Sequence, residues 1–237
     1  SPAKVAIEEE AIRQADTDGD RQASFAVRMQ LISTATFSGY HEKALVAFSW
    51  CLAEHDRDPD IYDVDRLMWR YKWVIGHLPH FLQVSRQQIH EMQDDMEERF
   101  TRLGLSLRPV EYLRCENAMM MGDLDRAAEL SDRWPALPRD RLADCPACEI
   151  DTTMEFLIQA CRDEDAIAKF HEIIDRGMSC REVPQRCYGK VIRSFDRLER
   201  KEEADEICRQ GYPLIAKNRK FLLQAAAFLL HHLRHRN

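Results

Sequence analysis

Glycine and proline are scarce, with 8 and 9 residues in a chain of 237. So few breakers argue against a Gly-rich phosphate-binding loop and against an all-β sandwich with its many turns. Long hydrophobic runs are missing too. No stretch approaches about 18 uncharged apolar residues, so no transmembrane helix is expected. The opening segment, SPAKVAIEEEAIRQ, is acidic and has no apolar h-region, so no signal peptide is visible. Nor is there a basic excess. Lys and Arg total 34 against 41 Asp and Glu, a net charge of −7, which argues against nucleic acid as the main partner. What is present is soluble globular composition, 45% hydrophobic and 32% charged. The chain is long enough to fold around its own core without staples.

The unusual count is cysteine. There are 8: Cys51, Cys115, Cys145, Cys148, Cys161, Cys180, Cys187 and Cys208. A long chain with no secretory signal and with cysteines inside helical patterns reads as a protein of a reducing, cytoplasmic compartment. Most of these thiols are expected to behave as small buried hydrophobes.

The periodicity is helical almost throughout. Over residues 25–37 the apolar positions Phe25, Met29, Ile32 and Ala35 share one helix face. Ser38-Gly39-Tyr40 breaks the pattern, and a second helix follows over 42–54. The same hairpin recurs over 109–134, 149–175 and 184–209, with a further pair, 62–76 and 85–103, between the first two. A last helix runs from Lys217 to about Arg234. The turns carry a shared signature in which an alanine opens the second helix five residues after the turn: GYHEKA ends at Ala44, GDLDRA at Ala127, CRDEDA at Ala166 and ERKEEA at Ala204. The last two gaps are 39 and 38 residues, and the first, 83, is about twice that. A period near 40 means one helical pair per repeat, each burying its face on the next.

Leu31, Ala35, Gly39, Ala44, Phe48 and Pro59 fall at or near positions preferred by the tetratricopeptide-repeat superfamily, which the chain resembles. The period exceeds that family's 34 residues, so the resemblance is TPR-like rather than to a regular TPR. DCPACE (144–149), CREVP (180–184) and WRYKW (69–73) look like segments of bacterial TPR-like proteins. That group has His after the Val-Pro, whereas this chain has Gln185. The resemblance implies a right-handed α-α superhelix, a TPR-like solenoid.

Cys145-Pro-Ala-Cys148 is the sharpest local motif, since CxxC brings two thiolates within reach of one ion. Cys180 follows 32 residues later, not far from one repeat period. Cys187, seven residues on and about two turns into the next helix, is the candidate fourth ligand of a structural zinc site, while Gln185, standing where the resemblance leads one to expect His, removes the most natural fourth ligand. The competing reading is apolar thiols packed between repeats. Asp16-Thr-Asp18-Gly-Asp20 begins like a calcium loop, but Arg21 and Val27 stand where Gly and Glu are needed, so a helix-capping turn is expected. Trp69, Arg70, Lys72 and Trp73 form an aromatic-basic patch, read as a partner-binding anchor in a concave groove or, more blandly, as packing. His231 and His235 are four apart and read as a helix end near the negative dipole pole rather than as metal ligands. Leu222, Leu223, Ala226, Leu229, Leu230 and Leu233 suit a capping helix or a dimer surface. No nucleophile arrangement stands out.

The sequence therefore predicts an all-α fold of about five helical hairpins plus a C-terminal capping helix. It reads as one domain over 1–237, with 1–20 partly flexible. The expected function is a non-enzymatic scaffold or adaptor that takes a protein or peptide, with no nucleic acid, membrane or cofactor. The alternative is a zinc-stabilised or thiol-sensing repeat protein using Cys145, Cys148 and Cys180.

Overall fold

The computed structural model describes residues 2–217 and 221–235. Among them the regular structure is all helical: twelve α-helices, two single 3-10 turns at Leu78–His80 and Trp134–Ala136, and no strand. None of these helices is long and apolar enough to cross a membrane. The chain divides into two compact units, Ser1–Leu113 with Leu137–Leu142, and Arg114–Ala136 with Ala143–Asn237.

The first unit holds α1 (Pro2–Thr17), α2 (Arg21–Thr36), α3 (His41–Arg57), α4 (Val64–Ile75), α5 (Arg86–Arg102) and the start of α6 (Arg108–Met120). The second holds the end of α6, then α7 (Leu124–Arg133), α8 (Pro146–Gln159), α9 (Asp163–Asp175), α10 (Gln185–Arg197), α11 (Lys201–Ile215) and α12 (Leu222–Arg234). Five hairpins and a cap amount to eleven helices. The twelfth is α1, which stands where a partly flexible segment is expected. Its charged sequence hides a short inward face of Val5, Glu8 and Ala15. Residues 218–220 of the anticipated last helix lie outside the described residues.

Polar side chains set the helix starts. Asp20 accepts a hydrogen bond from the Ala23 N–H, Asp63 from Arg66 and Asp123 from Arg126. Ser85 and Gln88 form a reciprocal capping box at α5. The Asp16–Asp20 segment is thus a capping turn, with Asp16 paired to Arg28 at 2.7 Å.

The four signature turns share one backbone geometry. Gly39, Gly122, Cys161 and Glu199 all take φ between 56° and 78°. In each, the next N–H bonds back to the carbonyl five residues earlier: Tyr40 to Ala35, Asp123 to Ala118, Arg162 to Leu157 and Arg200 to Phe195, at 2.9–3.0 Å. This is a Schellman helix end. Glycine enters the left-handed region freely at the first two turns, whereas Cys161 and Glu199 are held there against their Cβ. Ala44, Ala127, Ala166 and Ala204 are all buried, because a larger side chain there would push the paired helices apart.

In the second unit α10 is central and packs against α8, α9, α11 and α12. Two glycines allow the close approach. A Cβ on Gly189 would lie 2.5 Å from the Gln224 Cβ, and one on Gly211 2.5 Å from the Tyr188 Cβ. The terminal helix α12 packs on α10 and α11, but not through its leucines. Phe228 and His231 are buried, while Leu222, Leu223, Leu229, Leu230 and Leu233 are exposed. Tertiary contact has selected the face with the larger ring and the histidine.

Candidate metal centre

Helix α8 begins with Pro146 at its first helical position and Cys145 as N-cap. Cys148 therefore sits at the third helical position, one turn into α8. The positive end of the helix dipole favours thiolates there. Cys180 comes from the irregular segment joining α9 to α10, where its own N–H bonds to the Val183 carbonyl at 2.9 Å. The fold brings Cys145, Cys148 and Cys180 together, with sulfur atoms within 4.8 Å of one another. The Cys148 and Cys180 sulfurs are 3.1 Å apart, so they are hydrogen-bonded thiols rather than a disulfide, whose bond is about 2.05 Å. None of the three is in a disulfide, and all are half-buried.

The electrostatics favour a thiolate at Cys180. The hydrogen bond from Cys148 holds Cys180 well below the usual thiol range. Burial opposes this, and backbone hydrogen bonds from Glu182 and Val183 reinforce it. Cys148, as the donor, is pushed up. Tetrahedral zinc with sulfur ligands at about 2.3 Å places sulfurs about 3.8 Å apart, a spacing this trio reaches with small side-chain rotations. The donor set fits a soft-ligand ion and offers three of the four positions of a tetrahedral site.

Behind the thiols lies a buried ionic layer joining α8 to α10. Asp151 is fully buried. Arg186 Nε lies 2.6 Å from its Oδ2, and Lys190 Nζ donates to it at 2.9 Å. Lys190 also reaches Glu155 at 3.5 Å, and Arg193 pairs with Glu155 at 2.8 Å. Burial would raise Asp151, but Arg186 and Lys190 outweigh it and hold the carboxyl below the usual range. Thr152 donates at 2.7 Å to Glu116 on α6, whose carboxyl burial pushes up. Arg186 also acts on Cys148, favouring its thiolate, so its charge serves both the thiol cluster and the carboxylate.

Two expectations are corrected. Cys187 does not join the cluster. Its thiol is buried and donates to Asp151 Oδ1 at 3.0 Å, and burial pushes it up. A seven-residue spacing aligns two side chains only within one continuous helix, and here α10 starts at Gln185, after Cys180. The aromatic-basic patch is the second. Lys72 is buried, donates to the Leu142 carbonyl at 2.6 Å and lies over the Trp69 ring at 3.8 Å. Arg70 lies over the Trp73 ring at 4.5 Å, and Trp73 meets Phe37 edge-on at 4.8 Å. Of the four only Lys72 is buried; Trp69, Arg70 and Trp73 make these contacts while half-buried.

His235 stands at the C-terminal cap of α12, as a helix-end reading expects, whereas His231 is fully buried. The spacing reading missed Asp151, Glu155, Arg186 and Lys190 as well. Their signal is present, two like-charged i, i+4 pairs of opposite sign on helices one period apart, but such pairs read as solvated faces when taken singly.

Comparison with protein-family models and with curated protein sequences returned no match.

Proposed function

We propose that the protein is a binding scaffold of stacked helical hairpins in which one zinc ion, held by Cys145, Cys148 and Cys180, fixes α8 against the segment leading into α10. The observation that carries this reading is the convergence of three thiols from two separate stretches of chain beside a half-buried arginine. Its support as a scaffold is the fourfold recurrence of one helical-hairpin turn with its buried alanine, an architecture whose working surfaces bind rather than react. The ion's role is structural: it supplies an attachment between hairpins that hydrophobic contact alone leaves free to slide. The partner is a protein or peptide, and the compartment is a reducing one that keeps the thiols available.

The test compares metal content among full-length chains purified without chelator. Cys148→Ser is expected to lose close to one equivalent of zinc relative to wild type, and Cys161→Ser none. Equal zinc in wild type and Cys148→Ser would contradict the reading.

A further inference from the structure

Helix α12 brings a second cluster of ligating side chains to the α10–α11 hairpin, away from any cysteine ligand. His231 is fully buried, which is rare for a histidine unless both ring nitrogens are satisfied. Its Nδ1 lies 2.5 Å from Asp196 Oδ1 at the end of α10, and its Nε2 lies 3.0 Å from Asp205 Oδ1 on α11. His235, one turn further along α12, places its Nε2 3.3 Å from the same Asp196 oxygen. The ligating atoms of Asp196, His231 and His235 all fall within 4.8 Å of one another.

We propose that Asp196, His231 and His235 form a divalent-metal site of the zinc class that bolts the terminal helix α12 onto the α10–α11 hairpin. Three features carry it. Two imidazoles at i, i+4 and one carboxylate are a standard ligand set for zinc. Tetrahedral zinc with nitrogen and oxygen ligands at about 2.0–2.1 Å sets those atoms about 3.3 Å apart. The Asp196–His235 spacing already meets this, and the Asp196–His231 contact needs to open by about 0.8 Å. The far nitrogen of His231 faces Asp205, which Lys201 in turn holds at 2.7 Å. A carboxylate on the second nitrogen of a histidine fixes the tautomer that presents the first nitrogen to a metal. Arg234 Nη1 lies 3.5 Å from the other Asp196 oxygen, which leaves Oδ1 for the ion. Access is from a surface depression of about 380 Å³ whose lining includes Asp205, His232 and His235. In this arrangement His231 and His235 are ligands and Asp205 is a positioning residue. The contrary account makes His231 an imidazolium clamped between two aspartates with no metal.

The experiment loads the untagged full chain with cobalt(II), which substitutes for zinc and has a visible spectrum. Thiolate-bound cobalt shows strong sulfur-to-metal charge transfer in the near ultraviolet, and a histidine-carboxylate site does not, so the two centres are counted separately. Wild type is expected to bind one cobalt that adds no charge-transfer intensity. His235→Ala, at a half-exposed helix-end position, should weaken that binding tenfold or more, and Asp205→Asn by about tenfold. Both variants should leave the thiolate band unchanged. The proposal is overturned if wild type binds no cobalt beyond the thiolate-bound ion, or if His235→Ala binds the second ion as tightly as wild type. Loss of the thiolate band alone would count against the cysteine site and leave this one standing.

Discussion

In the first unit several long-range ion pairs keep one partner in water, although Glu54 is buried beneath Arg21 and Arg57. Arg28 meets Asp16, Arg99 meets Asp56 and Arg141 meets Asp65, with the carboxylate side chains 38–45% exposed. Two cations of that unit are buried: Lys72 donates to a backbone carbonyl and lies over an aromatic face, and Arg108 donates to the Leu137 carbonyl. In the second unit charge is drawn inward. Asp151 is fully enclosed between Arg186 and Lys190, and His231 between Asp196 and Asp205. Screened pairs add little stability and tolerate loss, whereas enclosed ones are costly to break because the survivor is left buried and uncompensated. All three groups of candidate metal ligands among the described residues, two of which share His231, belong to the second unit.

The strongest way to break this contrast is to remove the staple. With free zinc about a thousandfold above Kd, Cys148→Ser should destabilise the second unit by about 4 kcal/mol, measured as faster amide exchange in α8 and α10. Exchange in α2–α4 should not change. Asp151→Asn should cost about 3 kcal/mol, since it removes the charge of the buried carboxylate that Arg186 and Lys190 share. The matching change in the first unit, Asp56→Asn, should cost under about 1 kcal/mol. Denaturant unfolding of the two variants in parallel reads the difference. Gly211→Ala should cost about 2 kcal/mol by forcing Tyr188 and Phe228 aside.

Acid separates the units by salt sensitivity. Asp56 is held low by its hydrogen bond to Arg99, and Asp151 by Arg186 and Lys190 against burial. A carboxyl depressed in the folded state contributes stability that is full above about pH 4. That contribution is lost as pH falls through the lower folded value. Both units should therefore weaken below about pH 4. Added salt should reduce the Asp56 contribution and leave that of enclosed Asp151 nearly intact. Thermal melts of the two Asp→Asn variants across pH and salt check this. The smallest effect is at a turn. Glu199→Gly should raise stability by about 0.5 kcal/mol, because glycine takes the left-handed conformation without Cβ strain.

The hairpins were legible because their turn and alanine signals are local. A left-handed residue and a small side chain five positions later mark each crossing whatever surrounds it. The thiol trio was legible for a related reason, since its two stretches lie about one repeat apart and both precede a helix. Cys187 misled because a spacing argument presumes a helix boundary, and boundaries are set by capping and tertiary contact. Lys72 misled because an exposed lysine beside an aromatic and a buried lysine over an aromatic ring have the same composition. Asp151 and His231 were hidden for a common reason: the sequence of a charged helix face does not say whether water or another charged face lies opposite. The outward turn of the α12 leucines was hidden likewise, because helix rotation is decided by what α10 and α11 offer.

The central claim is that a thiol-bound metal holds the second unit and that the first does without it. The direct measurement is region-resolved hydrogen exchange of the full chain with zinc and with a strong chelator. The account predicts that chelation speeds exchange in α8, in the 176–184 segment and in α10, and leaves α2, α3 and α4 as they were. Unchanged protection around Cys145, Cys148 and Cys180 after zinc is stripped would contradict it.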